Sequence, residues 1–378
     1  MSSALSQSLT IHQYHARATA GDAITQHMLF IREALEEIGI GGKIFAGEKR
    51  NLPQGKVLLW SKGLGWDCDL FLIHHSQFNP DFKSLVSLER PKAVLYHSQP
   101  SESYFSYDAD LKKSLRLGKK QLVEYRKKRI PALGVSDFTA EELKDLGFVN
   151  PSLLPLMHIE APEKRQKEWD WAEPKHFVFV GRLAPHKGQS QLIEVFFHLK
   201  KLLPPQSKLY LLGTGEPLYT KYLKLLIKQW NLENQVVLTG KVTQADLVKY
   251  YTLADAFVCA SEHEGFCLPL VEAMKHGVPV FFKSQPAVKE TMGKAGVEWV
   301  SGSASDCAAV LSSFIKNPKA IEGVIKKQDE RLKELSLFQN KKMLQKTLFS
   351  LCLEQRKGFS TLLPTPQKSS SYETSISF

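Results

Sequence analysis

Cysteine is scarce in this chain, and the cysteines present form no metal or disulfide motif. There are five among 378 residues, scattered without a C-x-x-C pair: Cys68, Cys259, Cys267, Cys307 and Cys352. An odd, scattered set argues against a disulfide framework and against a structural zinc site. We therefore expect the five thiols to be reduced and mostly buried.

Long apolar runs are missing as well. No segment approaches the roughly eighteen apolar residues that a membrane-spanning helix needs, and the polar start MSSALSQSLT lacks the basic-then-apolar order of a secretory signal. A composition of 43% hydrophobic and 24% charged residues suits a globular protein with two domains of typical size. These features favour a cytoplasmic protein.

Acidic residues are in deficit, 39 against 50 lysines and arginines, which gives a formal net charge of +11. Such a charge predicts attraction to polyanions. Between residues 112 and 129, nine basic residues accompany one acid, Glu124, and leucines recur at helical spacing. We predict an amphipathic surface helix interrupted near Gly118. A solvated face, a contact with anionic membrane and nucleic-acid binding stay open, although no base-stacking aromatics accompany the basic residues.

Strand and helix patterns alternate along the chain. A predicted helix follows the first strand, with Asp22 as its N-cap and Gly39 as its stop, and a second, cleaner alternation begins at Phe177. Alternation of this kind predicts parallel, doubly wound α/β sheets. The predicted strands of the first part lie at residues 9–14, around 44, 69–74 and 93–97.

A charged stretch with proline and tryptophan, PEKRQKEWDWAEPK, separates the two alternations and is predicted to be a linker. We expect a first Rossmann-like domain at residues 1–157 and a second at 158–337. A helix at 338–357 is expected to cross back to the first domain. The Ser/Thr/Pro-rich tail at 358–378 is predicted to be disordered.

A loop with two cations lies between a predicted strand and the next helix. It reads G-R-L-A-P-H-K-G from Gly181 to Gly188, at the carboxyl edge where open α/β sheets bind ligands. Arg182 offers a planar fork for phosphate oxygens, Lys187 offers a mobile point charge, and the glycines let the backbone approach closely. The loop predicts phosphate binding, with two merely solvated cations as the alternative.

The next predicted strand ends in G-T-G, starting at Gly213. A dinucleotide fingerprint would require a third glycine where Leu218 stands, so a nicotinamide site is disfavoured. The two glycines more simply allow a tight turn beside the cleft.

Two glutamates, Glu264 and Glu272, stand either side of seven residues, the first in a loop and the second in a helix that starts near Leu268. Such a loop aims backbone N–H groups and a helix N-terminus at one point, which suits the negative charge of a diphosphate. A carboxylate there can bind sugar hydroxyls or stabilise positive charge at an anomeric carbon, and one farther along can fix a ribose.

The span from Glu264 to Glu272 resembles the E-x7-E motif of retaining glycosyltransferases with the GT-B fold, and residues 177–300 resemble the donor domain of glycosyltransferase family 4. The resemblance covers G-R-L with K-G, L-T-G-K-V, Y-T-L-A-D-A-F-V and S-E-H-E-G-F-C-L-P-L-V-E-A-M. It implies an α/β protein of the GT-B class, in which two Rossmann-like doubly wound domains face each other across a cleft. The first would bind the acceptor and the second the nucleotide-sugar donor.

The resemblance also implies roles for particular residues. Arg182 and Lys187 would hold the donor diphosphate, and Glu264 would contact the donor sugar, all three as catalytic residues. Cys267 stands where the family often has glycine, which reduces the freedom of the backbone. The substrate-binding positions implied in the second domain are Gly181, Gly213, Gly265, Phe266, Cys267, Leu268 and, for the ribose, Glu272.

Motifs in the first half, H-Q-Y-H, G-D-A-I, I-H-H-S, L-Y-H and V-S-D-F, resemble a bacterial subgroup that builds O-antigens and other surface polysaccharides and includes mannosyl- and rhamnosyltransferases. That resemblance implies that Gly21 and Asp22 close over the donor phosphates and that His97 contacts the donor sugar in catalysis. The other histidines of these motifs are expected to be packing or acceptor-cleft residues: His12, His15, His74 and His75.

The expected function is retaining transfer of a hexosyl residue, with mannose as the first guess, from a nucleotide-diphosphate sugar to a glycan or lipid-linked acceptor in cell-surface polysaccharide or lipopolysaccharide synthesis. No metal or other cofactor is expected, because the cations would stabilise the leaving diphosphate. We expect peripheral contact of residues 112–129 with the cytoplasmic face of the inner membrane and no binding of nucleic acid. A catalytically silent GT-B subunit and a GT-B hydrolase or phosphorylase stay open as alternatives.

Overall fold

A computed structural model describes residues 9–52, 55–61, 67–154, 169–299, 302–338 and 341–360. In this part of the chain the strands form two sheets, and all neighbouring strands run parallel. The first sheet contains β1 (Ile11–Thr19), β2 (Ile44–Arg50), β3 (Leu58–Leu59), β4 (Leu70–His75), β5 (Lys92–Tyr96), β6 (Ala132–Gly134) and β7 (Ser152–Leu153). The second contains β8 (His176–Val180), β9 (Lys208–Leu212), β10 (Val236–Gly240), β11 (Ala256–Cys259), β12 (Val280–Lys283) and β13 (Val297–Trp299).

Helices connect successive strands and cover the sheets. They are α1 (Ala23–Glu36), α2 (Phe82–Val86), α3 (Ala109–Lys127), α4 (Asp137–Asp145), α5 (Gln189–Leu199), α6 (Pro217–Gln229), α7 (Gln244–Leu253), α8 (Leu268–Lys275), α9 (Pro286–Met292), α10 (Ala304–Ile315), α11 (Pro318–Phe338) and α12 (Lys341–Ser360). Short 3-10 turns lie at Glu102–Phe105, Pro185–Lys187 and Lys200–Leu202. The predicted class of two Rossmann-like, doubly wound α/β sheets is confirmed.

In each sheet the order of the strands reverses at one place. The spatial order is β3-β2-β1-β4-β5-β6-β7 in the first sheet and β10-β9-β8-β11-β12-β13 in the second. The reversal therefore lies between β1 and β4 in one sheet and between β8 and β11 in the other. Ligands of open α/β sheets bind outside the carboxyl ends of the strands at such points.

Helix α1 forms as its sequence predicts. The Asp22 carboxylate accepts a hydrogen bond from the backbone N–H of Thr25 at 3.0 Å, which caps the first turn. Met28, Ile31 and Leu35 are buried on one face of the helix. Beyond its end, Gly39 has a φ of 76°, which lets the chain turn towards β2. The predicted cap and stop are confirmed.

The central strands of the second sheet are buried on both faces. Phe177 and Phe179 pack into one apolar cluster, whereas Val178 between them packs into another. Strands of a parallel sheet covered by helices on both sides read as continuous apolar runs for this reason. The sheet thus gives a rigid base for the loops at its carboxyl edge.

Helix α12 packs against α1 and β4 of the first sheet. The ammonium group of Lys341 lies 2.9 Å from the Glu33 carboxylate and 2.6 Å from the Glu37 carboxylate. Leu348 and Cys352 on the same helix are fully buried. The last helix therefore joins the chain's C-terminal part to its N-terminal sheet.

Two details of the sequence analysis are corrected. Helix α3 is continuous through Gly118, because a Cβ atom there would lie 2.7 Å from the backbone of Gln77 and Phe78, so the glycine allows close packing. Helix α12 runs to Ser360, past the predicted start of the tail at Gly358. A single glycine costs a helix only about 1 kcal/mol, which does not end it.

Other expectations have mixed outcomes. All five cysteines are free and buried, as expected. No helix among the described residues has the length and apolar character needed to cross a bilayer. The domain boundary between residues 157 and 158 falls within 155–168, outside the described residues, and the tail from residue 361 does so too. That boundary and the disorder of the tail stay predictions.

Candidate active site

The carboxyl edges of the two sheets meet at His97 and Gly265. His97 directly follows β5, and a Cβ atom on Gly265 would lie only 2.7 Å from the His97 carbonyl oxygen. The Ser136 hydroxyl donates to the Gly265 carbonyl oxygen at 2.6 Å. The cleft between the sheets is therefore narrow here, and loops from both sheets line it.

The cationic loop that follows β8 is held by its glycines and by a buried amide. Gly188 has a φ of 70°, and a Cβ atom there would lie 2.2 Å from the Ala260 carbonyl oxygen, so no larger residue fits. Gln189 donates from its side chain to the Arg182 carbonyl oxygen at 2.9 Å. The Arg182 side chain is exposed. The loop thus presents its arginine to solvent at the carboxyl edge of the sheet.

Lys187, the second cation of this loop, forms an ion pair with Glu264. Glu264 lies in the loop between β11 and α8, residues 260–267, which we call the acidic loop. The Lys187 ammonium lies 2.6 Å from the Glu264 carboxylate, and the two side chains are 19% and 10% exposed. The structure therefore brings together two of the residues that the sequence separated by 77 positions. A partly buried ion pair of this kind is stronger than one on the surface, because water screens it less.

The acidic loop then turns sharply into helix α8. Cys267, the residue before the helix, has a φ of 66° and a ψ of 65°, a left-handed conformation that normally favours glycine. Phe266 is buried, and its carbonyl oxygen accepts a hydrogen bond from the Thr291 hydroxyl. Leu268 is half-buried at the first position of the helix. The N-terminus of α8 thus begins directly at the end of the loop that carries Glu264, an arrangement suited to an anion.

The second glutamate, Glu272, lies one turn into α8. Its carboxylate accepts a hydrogen bond from the Tyr251 hydroxyl at 2.8 Å. Burial raises the pKa of Glu272 above its ordinary value, although the tyrosine hydrogen bond acts in the opposite direction. The tyrosine hydrogen bond holds the half-buried carboxyl group in one orientation. A carboxylate that binds two neighbouring hydroxyls of a ligand needs such a fixed orientation.

The glycines beside the cationic loop serve close approach of the backbone. Gly213, after β9, has a φ of 133°, and a Cβ atom there would lie 2.1 Å from the Gly181 carbonyl oxygen. Its N–H donates to the Gly240 carbonyl oxygen at 3.0 Å. The ends of three adjacent strands are therefore drawn together by these glycines, next to the site.

The loop of Gly21 and Asp22 lies at the end of β1, at the reversal of the first sheet. Both residues are exposed, and Gly21 has a φ of 83°. The Asp22 side chain caps α1, so its carboxylate is engaged within its own loop. The Lys241 ammonium donates to the Ala20 carbonyl oxygen at 3.3 Å, which ties this loop to the second sheet. A contact of Gly21 and Asp22 with donor phosphates stays a prediction.

Three histidines cluster behind the cleft. His27, His74 and His97 each offer a ring nitrogen, and the three atoms lie within 4.8 Å of one another. This cluster is where the described residues could hold a metal ion. Two of its rings are, however, joined directly, since Nδ1 of His74 lies 2.9 Å from Nε2 of His97. The expectation of no metal stays a prediction.

Three residues that join the two sheets were missed in the sequence analysis. The Ser98 hydroxyl donates to the Glu142 carboxylate at 2.6 Å and lies 3.0 Å from Nε2 of His263. Burial raises the pKa of Glu142 to about 7 and lowers the pKa of His263 to about 4. The only available signal was that Glu142 lies three residues after the buried Thr139 on α4, and therefore on the same side of the helix.

Comparison with known proteins finds similarity mainly in the second half of the chain. Residues 161–334 match the family model described as Glycosyl transferases group 1. Mannosylfructose-phosphate synthase of Agrobacterium fabrum is 35% identical over 113 residues, which cover 28% of this chain and 25% of that protein. O-antigen chain mannosyltransferase B of Escherichia coli is 28% identical over 138 residues, 36% of this chain and 34% of that protein. The chain thus spans about a third or less of the length of these relatives, whose similarity supports a transferase.

Solved structures resemble the chain over nearly its whole length. Sucrose-phosphate synthase from Thermosynechococcus elongatus aligns with a TM-score of 0.69 at 16% identity, over 94% of this chain and 99% of that one. The Anabaena protein HepE, in a complex with UDP and glucose, aligns with a TM-score of 0.62 at 17% identity, over 91% and 99%. Such similarity shows the fold, which is GT-B, and the expected fold class is confirmed.

Proposed function

We propose that the chain is a retaining glycosyltransferase that moves a hexosyl residue, mannose as the first choice, from a nucleotide-diphosphate sugar to a glycan or lipid-linked acceptor of cell-surface polysaccharide or lipopolysaccharide synthesis. The observation that carries this proposal is the 2.6 Å pair of Lys187 and Glu264 at the carboxyl edge of the second sheet, next to the place where Gly265 approaches His97 of the first sheet. The names of the two curated relatives support the choice of mannose.

The donor diphosphate would lie between the cationic loop and the N-terminus of α8. Arg182 would supply a planar fork and Lys187 a point charge, and both would offset the charge that develops on the leaving group. Glu264 would then exchange part of its contact with Lys187 for a sugar hydroxyl. Glu272, one turn farther along α8, would hold the ribose.

The transfer itself breaks one bond and forms another. The bond between the anomeric carbon and the phosphate oxygen breaks, and its electron pair goes to the diphosphate. An acceptor hydroxyl attacks the anomeric carbon from the same face, and its proton goes to the leaving phosphate oxygen. Closure of the two sheets on the substrates would exclude water and align these atoms. Since two side-chain cations neutralise the leaving group, the proposal requires no metal ion.

Helix α3 would hold the enzyme at an anionic membrane that carries the acceptor. Lys113, Lys119 and Lys120 are exposed and form no ion pair within the described residues, whereas Arg116 pairs with Glu102 at 3.1 Å. Each basic residue near such a surface contributes about 1 kcal/mol. Reversal of the three lysine charges to glutamate should weaken binding to vesicles that contain phosphatidylglycerol by about tenfold or more in a sedimentation assay.

A control for this test is the triple exchange Lys319→Glu, Lys326→Glu and Lys327→Glu, which changes the net charge equally on the exposed face of α11. Equal losses in both variants would mean that net charge alone drives the binding. Unchanged binding of the α3 variant would exclude this membrane contact.

The experiment that tests the proposed donor site is calorimetric binding of UDP, GDP and dTDP, with and without their sugars. One diphosphate should bind the wild type, and the double variant Arg182→Ala/Lys187→Ala should lose most of this affinity, about a hundredfold, because two charge-assisted contacts are removed. Lys319→Ala/Lys326→Ala, two exposed lysines on α11, is the matched control and should bind normally.

No binding of any diphosphate would contradict the proposal and would favour a silent GT-B subunit. Release of free sugar from the donor without an acceptor, at the rate seen with one, would instead indicate a hydrolase.

A further inference from the structure

A hydrogen-bonded chain leads from the interior of the first sheet to His97. Gln13 on β1 and His74 on β4 are 0% and 2% exposed, and His97 follows the neighbouring strand β5. Nε2 of His74 lies 3.0 Å from the Gln13 side-chain oxygen, and Nδ1 of His74 lies 2.9 Å from Nε2 of His97. The three side chains therefore form one line that ends at the cleft.

The backbone fixes the direction of the first hydrogen bond. The Gln13 side-chain nitrogen lies 2.9 Å from the Met28 carbonyl oxygen, which can only accept. The amide nitrogen of Gln13 must therefore face Met28, and its oxygen must face His74. Since an amide oxygen also only accepts, Nε2 of His74 carries a hydrogen.

The same logic continues to His97 because both imidazoles are neutral. In the described part of the chain their hydrogen-bond partners are an amide oxygen and each other, so a charge on either ring would have no carboxylate partner beside the buried His74. Burial lowers the pKa of His74 and of His97 well below the ordinary histidine value, and the surrounding rings of His27 and His15 act in the same direction. A neutral His74 with hydrogen on Nε2 has a lone pair on Nδ1. Nε2 of His97 must then donate to it, which leaves the lone pair of His97 on Nδ1.

We propose that Gln13 and His74 are positioning residues that fix His97 in the Nε2–H tautomer, so that its Nδ1 atom presents a hydrogen-bond acceptor to a hydroxyl of the donor sugar. This inference rests on the proposed function for the identity of the ligand. Within the described residues, Nδ1 of His97 has no hydrogen-bond partner. His27 packs edge-on against both rings, with centroids 6.0 Å from His74 and 5.7 Å from His97.

The tautomer has a consequence for the substrate. An acceptor nitrogen binds a hydroxyl that donates, and it gains nothing from a fluorine or a hydrogen at the same position. The donor must therefore be a sugar with a free hydroxyl next to His97. Donor sugars in which this one hydroxyl is replaced by hydrogen or fluorine should be poor substrates. The same replacement at the other hydroxyls of the sugar should lower the rate less.

Nitrogen NMR of the wild-type protein tests the tautomer directly. The protein is labelled with 15N-histidine, and the His97 signals are assigned by their loss in His97→Gln. Near neutral pH without any donor, His97 should show a protonated Nε2, an unprotonated Nδ1 and a scalar coupling to His74 across the hydrogen bond. A protonated Nδ1 or a charged His97 ring would overturn the proposal, whatever the enzyme's activity.

Substitution behind the cleft tests the positioning role. His74→Phe should lower kcat about tenfold or more, because His97 loses the acceptor that orients it, whereas the affinity for the nucleoside diphosphate should not change. His75→Phe is the matched control, since His75 is equally buried on the same strand but binds the Gly118 carbonyl oxygen at 3.0 Å. An unchanged kcat in a folded His74→Phe variant would overturn the role of His74.

Gln13→Leu keeps both histidines and is the second variant. It removes the acceptor that holds the hydrogen on Nε2 of His74, so His97 should populate both tautomers by NMR, and kcat should fall. Gln328→Leu, at a fully buried glutamine of α11 that binds only backbone groups, controls for lost stability. If the expected tautomer is found but no nucleotide sugar is turned over, the proposed function fails while the hydrogen-bonded chain stands.

Discussion

At the scale of single residues, two residues with a strained backbone lie where the two sheets meet. Ser98 and Cys267 have φ angles of 62° and 66°, in the left-handed region that glycine usually occupies. Each such residue costs about 1–2 kcal/mol and persists only where its surroundings hold it. Ser98 is held by its hydrogen bonds with Glu142 and His263. Ser98 and Cys267 are two of the seven non-glycine residues with positive φ in the described part of the chain, and both flank the approach of His97 to Gly265.

The raised pKa of Glu142 predicts a dependence of stability on pH. Its pKa is about 7 in the folded protein, against 4.5 for an ordinary glutamate, so the unfolded chain loses its proton first as pH rises. The stabilising effect of the proton is complete below pH 4.5 and is lost as pH rises through about 7. The difference between the two pKa values limits the lost free energy of unfolding to about 3 kcal/mol. Solvent screening of the half-buried carboxyl group makes the actual loss smaller.

Glu142→Gln should therefore unfold at a higher urea concentration than the wild type at pH 8 and at a similar one near pH 4.5, since glutamine does not ionise. Urea unfolding at several pH values measures this difference. Glu141→Gln, at an exposed neighbour paired with Lys144, is the control and should leave the pH dependence as in the wild type. Equal pH dependence in all three proteins would contradict the assignment of the pKa.

At the scale of elements, a side chain on α9, which packs beside the second sheet, caps the N-terminus of α4, which packs beside the first sheet. The two carboxylate oxygens of Glu290 on α9 accept hydrogen bonds from the backbone N–H groups of Asp137 and Phe138, each at 2.7 Å. These N–H groups open α4 and have no partner within their own helix. Arg331 on α11 holds the Glu290 carbonyl oxygen at 2.6 Å. The contact thus acts as a latch between the two halves.

Removal of this latch should open the cleft. Glu290→Ala leaves two N–H groups of α4 without their partners and removes a charge from the positive end of a helix dipole, a loss of about 1–2 kcal/mol. We expect a larger radius of gyration by X-ray scattering and a higher KM for the donor. Lys289, on the same helix as Glu290, forms an exposed ion pair with Glu298 on β13, and Lys289→Ala should change neither quantity. Identical scattering of all three proteins would exclude the latch.

At the scale of the whole molecule, the two sheets are held in a closed arrangement by contacts far apart in sequence. Helix α12 returns to the first sheet, Lys241 reaches the Ala20 carbonyl oxygen, and Gly265 lies against His97. Gly265 allows the closest of these approaches, since any side chain would meet the His97 backbone. The narrowness of the cleft at His97 therefore depends on one glycine.

Gly265→Ala should act as a wedge between the sheets. Its Cβ atom would lie 2.7 Å from the His97 carbonyl oxygen, so one sheet must shift, and kcat should fall about tenfold or more because the reacting groups are misplaced. Gly323→Ala, in open space on α11, should keep full kcat and raise helix stability by at most about 1 kcal/mol. Normal kcat in both variants would show that the closed contact is not needed for transfer.

The sequence by itself determined the elements and the loops that carry charge. The cap of α1 at Asp22, the burial of the cysteines and the alternation of strands and helices follow from local patterns, because periodicity and capping act over a few residues. The cationic and acidic loops could be recognised for the same reason, since each follows a predicted strand. Because the loops resemble a known motif, roles could also be assigned to single residues, and these roles stay predictions.

Only the tertiary structure decided which of these residues meet. Lys187 with Glu264, Gln13 with His74 and His97, and Glu290 with the start of α4 are contacts between segments distant along the chain. The raised pKa of Glu142 likewise comes first from its burial between elements, with a smaller contribution from the charge of Asp145. No local pattern encodes such pairs, because strand order and the packing of one sheet against the other set the distances.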